Sequence, residues 1–252
     1  MAAPTFAFKP PDLREIDLDV VDGDIVVMRI NRPDRMNSQT ARMFAEHGMV
    51  AKALRDSHAR ALIVTGTGER AFCAGFDLDE IDVLTSMGVR DYLKLQETAA
   101  FGLSAIHALP FPVIAAVHGP ATGGGFGLAL ACDIRLAAPT AKFSTAFVRV
   151  GLSIGELGVS WQLTRLVGPG RAAEIGYTGR VVDADEALSI GLVNRVVPSD
   201  QLLDEALELS QMISEQSAGE VKLAKQALQR NQEVWSYASA LELGNRGQAL
   251  HW

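Results

Sequence analysis

From Thr98 to Cys132 the chain carries no Asp, Glu, Lys or Arg. A run of that length either crosses a membrane or lies at the centre of a folded domain. A spanning helix needs about 20 consecutive, mostly apolar residues. Here the run is cut by Pro110, Pro112 and Pro120, by His107 and His118, and by glycines at 119 and 123–125. Proline lacks a helical N–H and its ring collides with the preceding turn, so one continuous helix does not fit. The stretch reads as the buried centre of a domain, and no membrane segment is expected.

The composition supports that reading. At 252 residues the chain suits one large domain or two small ones. With 48% hydrophobic and 21% charged residues it can bury a core and is not a disordered type. Lys plus Arg number 23 against 30 Asp plus Glu, a net charge of −7, which argues against a nucleic-acid binder. A small basic cluster facing an anionic ligand is still compatible with it. Cys73 and Cys132 give neither a disulfide framework nor a metal-ligand spacing, and suit a reducing cytosol. The start MAAPTFAFKPPDLREID has no basic stretch followed by an apolar run, so a cytoplasmic location is expected rather than secretion.

Along the chain, residues 1–16 read as an N-terminal arm, 17–198 as a core and 199–252 as a helical region of the same domain. Strands are expected at 25–33, 61–66, 112–119 and 133–138, with helices over 40–57, 89–109 and 123–132 between them. That alternation implies an α/β layer with crossover connections. Beyond about residue 155 the pattern turns helical. Glu156 is placed at the start of the helix ELGVSWQLTRLVG. Asp183 and Ser199–Asp200 are read as N-caps, and two long helices are expected over 201–217 and 218–232.

Three glycine patterns compete for a function. Gly123, Gly124, Gly125 and Gly127 lie between a strand and a helix, but the dinucleotide spacing G-x-G-x-x-G/A fails at Leu128 and Leu130. The acidic ribose partner is also missing, since none occurs between Asp133 and Glu156. Gly151-Leu152-Ser153-Ile154-Gly155 spells a nucleophile elbow, yet the only later histidine is His251. A glycine-flanked turn is the simpler reading. The third pattern is an anion site: a glycine turn opening a helix aims backbone N–H groups at a ligand. Such groups stabilise an enolate or a tetrahedral anion without any side chain. AFCAGFDL supplies a second glycine turn after another buried strand.

NRPDRMNS (31–38), LIVTGTGERAFCAGFDLDEI (62–81), PVIAAVHGPATGGGFGLALACDIRLAA (112–138), LTRLVG (163–168) and GLVNRVVP (191–198) together resemble the crotonase superfamily of acyl-CoA enzymes, which includes the enoyl-CoA hydratases. The resemblance covers roughly residues 15–250 in unbroken order. It implies an α/β, crotonase-like fold of repeated ββα units with a helical C-terminal trimerisation region, as a homotrimer or dimer of trimers. It also implies an acyl-CoA substrate, with no cofactor beyond the coenzyme A of that substrate. The oxyanion pair falls on the backbone N–H groups of Phe76 and Gly124. The segment Ala74, Phe76, Asp77 and Leu78 falls beside the CoA arm, and Arg35 near the nucleotide end as a phosphate partner.

The departures from the family carry as much information. Hydratases of this superfamily usually place one glutamate where this chain has Gly127 and another where it has Phe147. Neither residue can move a proton, so activation of water by two carboxylates is not available. Relatives that isomerise dienoyl-CoA or dehalogenate an aromatic acyl-CoA resemble this chain in placing an acid at Glu156, although the dehalogenase histidine falls at Ala100. Glu156 is thus the expected general acid/base, set against a plain helix-end role. The expected reaction is double-bond isomerisation or hydration. The alternatives are thioester or C–C hydrolysis, and acyl-CoA binding without catalysis. Cys73, Cys132, His107, His118 and Trp161 are read as packing residues.

Overall fold

The computed structural model describes residues 10–80, 86–234 and 236–249. Residues 1–9 of the expected arm lie outside them. The chain begins with β1 (Ile16–Val21), β2 (Ile25–Ile30), α1 (Ala41–Arg55), β3 (Ala61–Gly66) and α2 (Val89–His107). Next come β4 (Val113–Val117), β5 (Pro120–Thr122), α3 (Gly124–Ala131), β6 (Ile134–Ala137) and β7 (Lys142–Ser144). Then follow α4 (Val159–Val167), α5 (Pro169–Thr178), β8 (Val182–Asp183), α6 (Ala184–Ser189) and β9 (Arg195–Val196). The helices α7 (Leu202–Ser214), α8 (Ala218–Asn231) and α9 (Tyr237–Ala249) follow.

A six-stranded sheet has the order β1-β2-β3-β4-β6-β9. All its pairs are parallel except β1 with β2. Side chains alternate between the two faces of a strand. Val26, Met28, Leu62, Val64, Val113 and Ala115 therefore pack under α1 and α2, while Ile25, Val27, Ile63, Ile114 and Leu136 meet Leu202 and Ala206 of α7. Helices on both faces explain why IVVMRI, ALIVTG and VIAAV are near-continuous apolar runs. Gly102 brings α2 against the backbone of α1, since a Cβ there would lie 2.5 Å from the Phe44 carbonyl oxygen. The structure thus places the charge-free run in α2, β4, β5 and α3: the strands and α3 lie at the centre of the domain, whereas α2 buries one face and leaves Phe101 on the other 65% exposed.

A second, three-stranded sheet, β5-β7-β8, stands beside the first and was not expected. Its first strand, β5, forms from residues 120–122, which lie between the expected strand 112–119 and the expected helix 123–132. β1 was also missed, although Ile16, Leu18 and Val20 alternate with Asp17 and Asp19. It is an edge strand joined to β2 through Asp22 and Gly23, both at positive φ. Asp183 does cap α6, accepting from the Glu186 N–H at 2.9 Å. Ser199–Asp200 do not cap α7, whose N-cap is Gln201 without a side-chain bond.

Glu156 does not open a helix. It begins a separate 3-10 turn, Glu156–Gly158, in which Leu157 and Gly158 take φ of 54° and 74° before α4 starts at Val159. The dipole of α4 therefore gives no account of an acid at this position. Among the described residues, no helix is long and apolar enough to cross a membrane.

Candidate active site

The site is built by a loop, two glycine turns and the 3-10 turn at 156–158. In the loop 31–40, the buried Asn37 donates to the carbonyls of Thr67 (2.9 Å) and Ala71 (2.7 Å). This fastens the loop beside the segment that follows β3. Glu80 closes the other end by accepting the Ala41 N–H at 3.1 Å, at the start of α1. Thr40 caps the same helix, accepting from the Met43 N–H.

Cys73 pairs with Ala121 in a parallel bridge, donating to Pro120 O at 3.1 Å and accepting from the Thr122 N–H at 3.0 Å. Three residues later the segment pairs on its other side. Gln39 N–H donates to Gly75 O at 2.6 Å and Asp77 N–H to Gln39 O at 2.8 Å. The switch of side occurs at Gly75, whose φ of 95° is open mainly to glycine. Phe76 lies between these two bonds, so its own N–H faces away from Gln39.

The second turn lies against the first. A Cβ on Gly75 would be 2.7 Å from Thr122 O and 3.6 Å from the nitrogen of Gly124. Gly123 turns the chain at φ 53° into α3. The Gly124 N–H belongs to the first turn of that helix, where no intrahelical carbonyl is in reach and the dipole is positive. A Cβ on Gly125 would overlap the Cys73 carbonyl oxygen. Phe76 and Gly124, the expected donor pair, thus stand on two turns in contact, with Phe76 stacked on Phe44 at 6.2 Å.

Around these turns the walls are apolar. A Cβ on Gly127 would be 3.4 Å from Leu103, Leu157 and Val159 alike. Phe147 is buried, and its ring would lie 3.9 Å from a Cβ on Gly123. The two positions where the resemblance implies hydratase glutamates, Gly127 and Phe147, are therefore occupied by hydrocarbon. Leu157 also reaches Gly124, at 3.3 Å from a Cβ placed there.

Glu156, the residue before it, is half-buried and hydrogen-bonded to Gln96 of α2. Burial pushes its carboxyl above the ordinary value, and the Gln96 bond offsets part of that rise. Gln96 in turn donates to the Tyr92 hydroxyl at 2.8 Å.

The remaining expected residues divide. Ala74 is half-buried, Leu78 is 68% exposed and Arg35 pairs at the surface with Asp79 at 2.5 Å. Asp77 turns inward instead of toward solvent. Its carboxylate meets the Arg32 guanidinium at 2.7 Å and accepts the Asp79 N–H at 3.1 Å. Burial alone would raise this carboxyl, but Arg32, the Asp79 N–H and the Ser38 hydroxyl together hold it below its ordinary value. Its side chain supports the loop. Arg32, Gln39 and Leu157 also belong to the site although nothing in the sequence singled them out; Arg32 is marked by its pairing with Asp77, Gln39 by burial and Leu157 by its positive φ.

Cys73 and Cys132 are buried thiols whose pKa values burial pushes up to about 12, which makes them inert packing groups. Among the described residues no three His, Cys, Asp or Glu side chains are grouped to hold a metal ion. A cavity of about 540 Å³ opens elsewhere, lined by residues that include Asp24, His58, Arg60, Phe111 and Lys222. It touches neither glycine turn.

Residues 21–246 match the family model described as enoyl-CoA hydratase/isomerase. The chain is 37% identical over 213 residues to the short-chain-enoyl-CoA hydratase of Clostridium acetobutylicum, covering 84% of this chain and 80% of that one. Its fold superposes on the crystal structure of enoyl-CoA hydratase from Bacillus anthracis with a TM-score of 0.89, at 32% identity over 95% of this chain and 92% of the other. A Thermobifida fusca YX protein crystallised in complex with acetoacetyl-CoA gives a TM-score of 0.85, at 27% identity over 94% of each chain. The chain belongs to the enoyl-CoA hydratase/isomerase family, within the crotonase superfamily.

Proposed function

We propose that this chain moves a double bond within an acyl-CoA thioester, with Glu156 as its one acid/base. The thioester oxygen accepts from the N–H groups of Phe76 and Gly124. Glu156 takes a proton from the carbon next to the thioester, and the electron pair left behind delocalises onto that oxygen as an enolate. Returning the proton two carbons further along shifts the double bond, with no net gain or loss of atoms or electrons. One preorganised oxyanion donor is worth about 10²–10³ in rate. The observation that carries the proposal is the position of Glu156, half-buried and next to Leu157, whose side chain lies 3.3 Å from a Cβ placed on Gly124, while Gly127 and Phe147 offer no second carboxylate.

The CoA arm runs beside the backbone of Ala74–Leu78, and Arg35 meets a phosphate at the nucleotide end. No metal or nicotinamide enters this scheme. A homotrimer or dimer of trimers in the cytoplasm completes the reading, supported by exposed Leu228, Tyr237 and Leu241 on α8 and α9. Hydration is the second reading, favoured by the activity named for the Clostridium acetobutylicum relative. A panel of enoyl-CoA substrates in deuterated water, followed by mass spectrometry, tests both. Isomerisation gives positional isomers carrying deuterium, hydration adds one water, and hydrolysis releases free CoA. A bound thioester that neither exchanges nor changes would reduce the chain to a binding protein.

A further inference from the structure

Gln39 is fully buried, and neither its Oε1 nor its Nε2 has a hydrogen-bond partner among the described residues. Leaving a buried amide unpaired is costly, so the position calls for a reason. The side chain is aimed at the site, because a Cβ on Gly124 would overlap Gln39 Oε1. Leu157 closes on Gly124 from the 3-10 turn. The main chain of Gln39 is locked by its bonds to Gly75 and Asp77, on either side of Phe76. The Gln39 carboxamide thus lies against Gly124 with Leu157 beside it, while its main chain pairs with the Phe76 segment; Leu103, Val159 and Phe147 line the neighbouring glycines 127 and 123.

Building on the acyl-CoA reading above, we propose that Gln39 is a specificity-determining residue that selects acyl groups carrying an uncharged oxygen substituent near the thioester. A carboxamide offers one donor and one acceptor side, which a hydroxyl can pair with together and a ketone through the donor alone. A carboxylate fits less well, because a buried anion needs a counter-charge. Both cations of the loop are taken: Arg32 by Asp77 and by the carbonyl and hydroxyl of Ser38, and Arg35 by Asp79 at the surface. A plain alkyl chain leaves the amide unpaired, and sites built to hydrogen-bond a substrate group discriminate strongly against analogues lacking it.

The test is calorimetric binding to the full chain of four CoA thioesters: butyryl, 2-hydroxybutyryl, 4-hydroxybutyryl and succinyl. Carbon 3 is avoided because hydration of an enoyl thioester would itself place a hydroxyl there. The parent protein is expected to bind at least one hydroxybutyryl thioester about 10-fold or more tighter than butyryl-CoA, with succinyl-CoA no better than butyryl. Gln39→Leu should erase that preference and keep or improve butyryl-CoA binding. Its thermal midpoint should hold or rise, since an unpaired buried amide is replaced by hydrocarbon of similar size. Gln39→Met, of matched length, repeats the measurement should leucine disturb the fold. Equal binding of all four by the parent, or a preference that survives both substitutions, overturns the assignment of Gln39 while leaving the acyl-CoA reading intact. Failure of every thioester to bind overturns both.

Discussion

Gln39 and Phe76 face one another as a single parallel bridge, with Gln39 N–H on Gly75 O at 2.6 Å and Asp77 N–H on Gln39 O at 2.8 Å. That bridge spends the hydrogen bonds flanking Phe76 on the loop before α1 and leaves the Phe76 N–H on the opposite edge. The geometry of one proposed oxyanion donor is therefore decided by a loop more than thirty residues earlier in the chain.

The glycines of the two turns should respond differently to a methyl group. Gly75→Ala meets a positive φ and the Thr122 carbonyl oxygen, neither of which can yield cheaply. It should destabilise the fold by about 1–3 kcal/mol and cut turnover by roughly 10²-fold or more, through displacement of the Phe76 donor. Gly124→Ala meets chiefly the far end of the Gln39 side chain, so it should fold and lose activity without a large stability change. Gly170→Ala, with nothing within 4 Å of its Cβ, should be neutral or stabilising by about 0.5–1 kcal/mol. Urea unfolding and steady-state rates on the three variants check the ordering.

Glu156→Gln should lower turnover by roughly 10²–10⁴-fold, the range of general acid–base catalysis, with acyl-CoA affinity nearly unchanged. Deuterium uptake from solvent should stop with it. Retention of uptake at the parent rate would remove Glu156 from the mechanism.

The same carboxyl has a pH signature. Its folded pKa lies above the ordinary 4.5 because burial disfavours the charged form. The stability it contributes is thus fully present below 4.5 and is lost as pH rises through the folded value. At neutral pH Glu156→Gln should therefore be as stable as the parent or more so, and the two thermal midpoints should converge below pH 4.5. The acid limb of the parent pH–rate profile should lie above the ordinary glutamate range.

Asp77 has the opposite sign. Its folded pKa lies below the ordinary 3.8, so its contribution is present above that value and fades as pH falls through the folded one. Asp77→Asn should cost about 2 kcal/mol at neutral pH, less than the 3–5 kcal/mol of a fully buried pair because Arg32 retains some exposure. The deficit should shrink in acid below pH 3.8. A constant deficit across that range in urea titrations would show that the ion pair is not its source.

The C-terminal helices offer a further measurement. Lys225 is buried and joins α8 to the core through Phe111 O at 2.9 Å and Asp133 at 2.7 Å. Lys225→Ala should destabilise the chain by about 2 kcal/mol, since it removes the cation facing Asp133, whose partly exposed carboxylate keeps the Val113 N–H. Leu228→Glu with Leu241→Glu leaves that anchor intact but charges two exposed apolar positions. Light scattering should then show loss of the proposed trimer, with the monomer still folded by circular dichroism.

The parallel sheet was legible because strands covered on both faces read as near-continuous apolar runs, and IVVMRI, ALIVTG and VIAAV do, with Arg29 and Thr65 the exceptions. The two glycine turns were legible because each follows such a strand, and their joint pattern carried the family. The apolar lining at Gly127 and Phe147 followed from residue type alone. What the sequence could not decide was which groups distant along the chain would meet. The acid at Glu156 was visible, but not the strained Leu157 that detaches it from α4 and ties it instead to Gln96. Asp77 was visible as a carboxylate in a loop, but its inward turn depends on Arg32, forty-five residues earlier. Gln39 is an ordinary polar letter near a helix start, and only packing against Gly124 makes it a buried, unpaired amide. Apolar periodicity is a local property that each segment carries by itself, whereas the charge state and exposure of a polar side chain are set by neighbours that only the folded chain supplies.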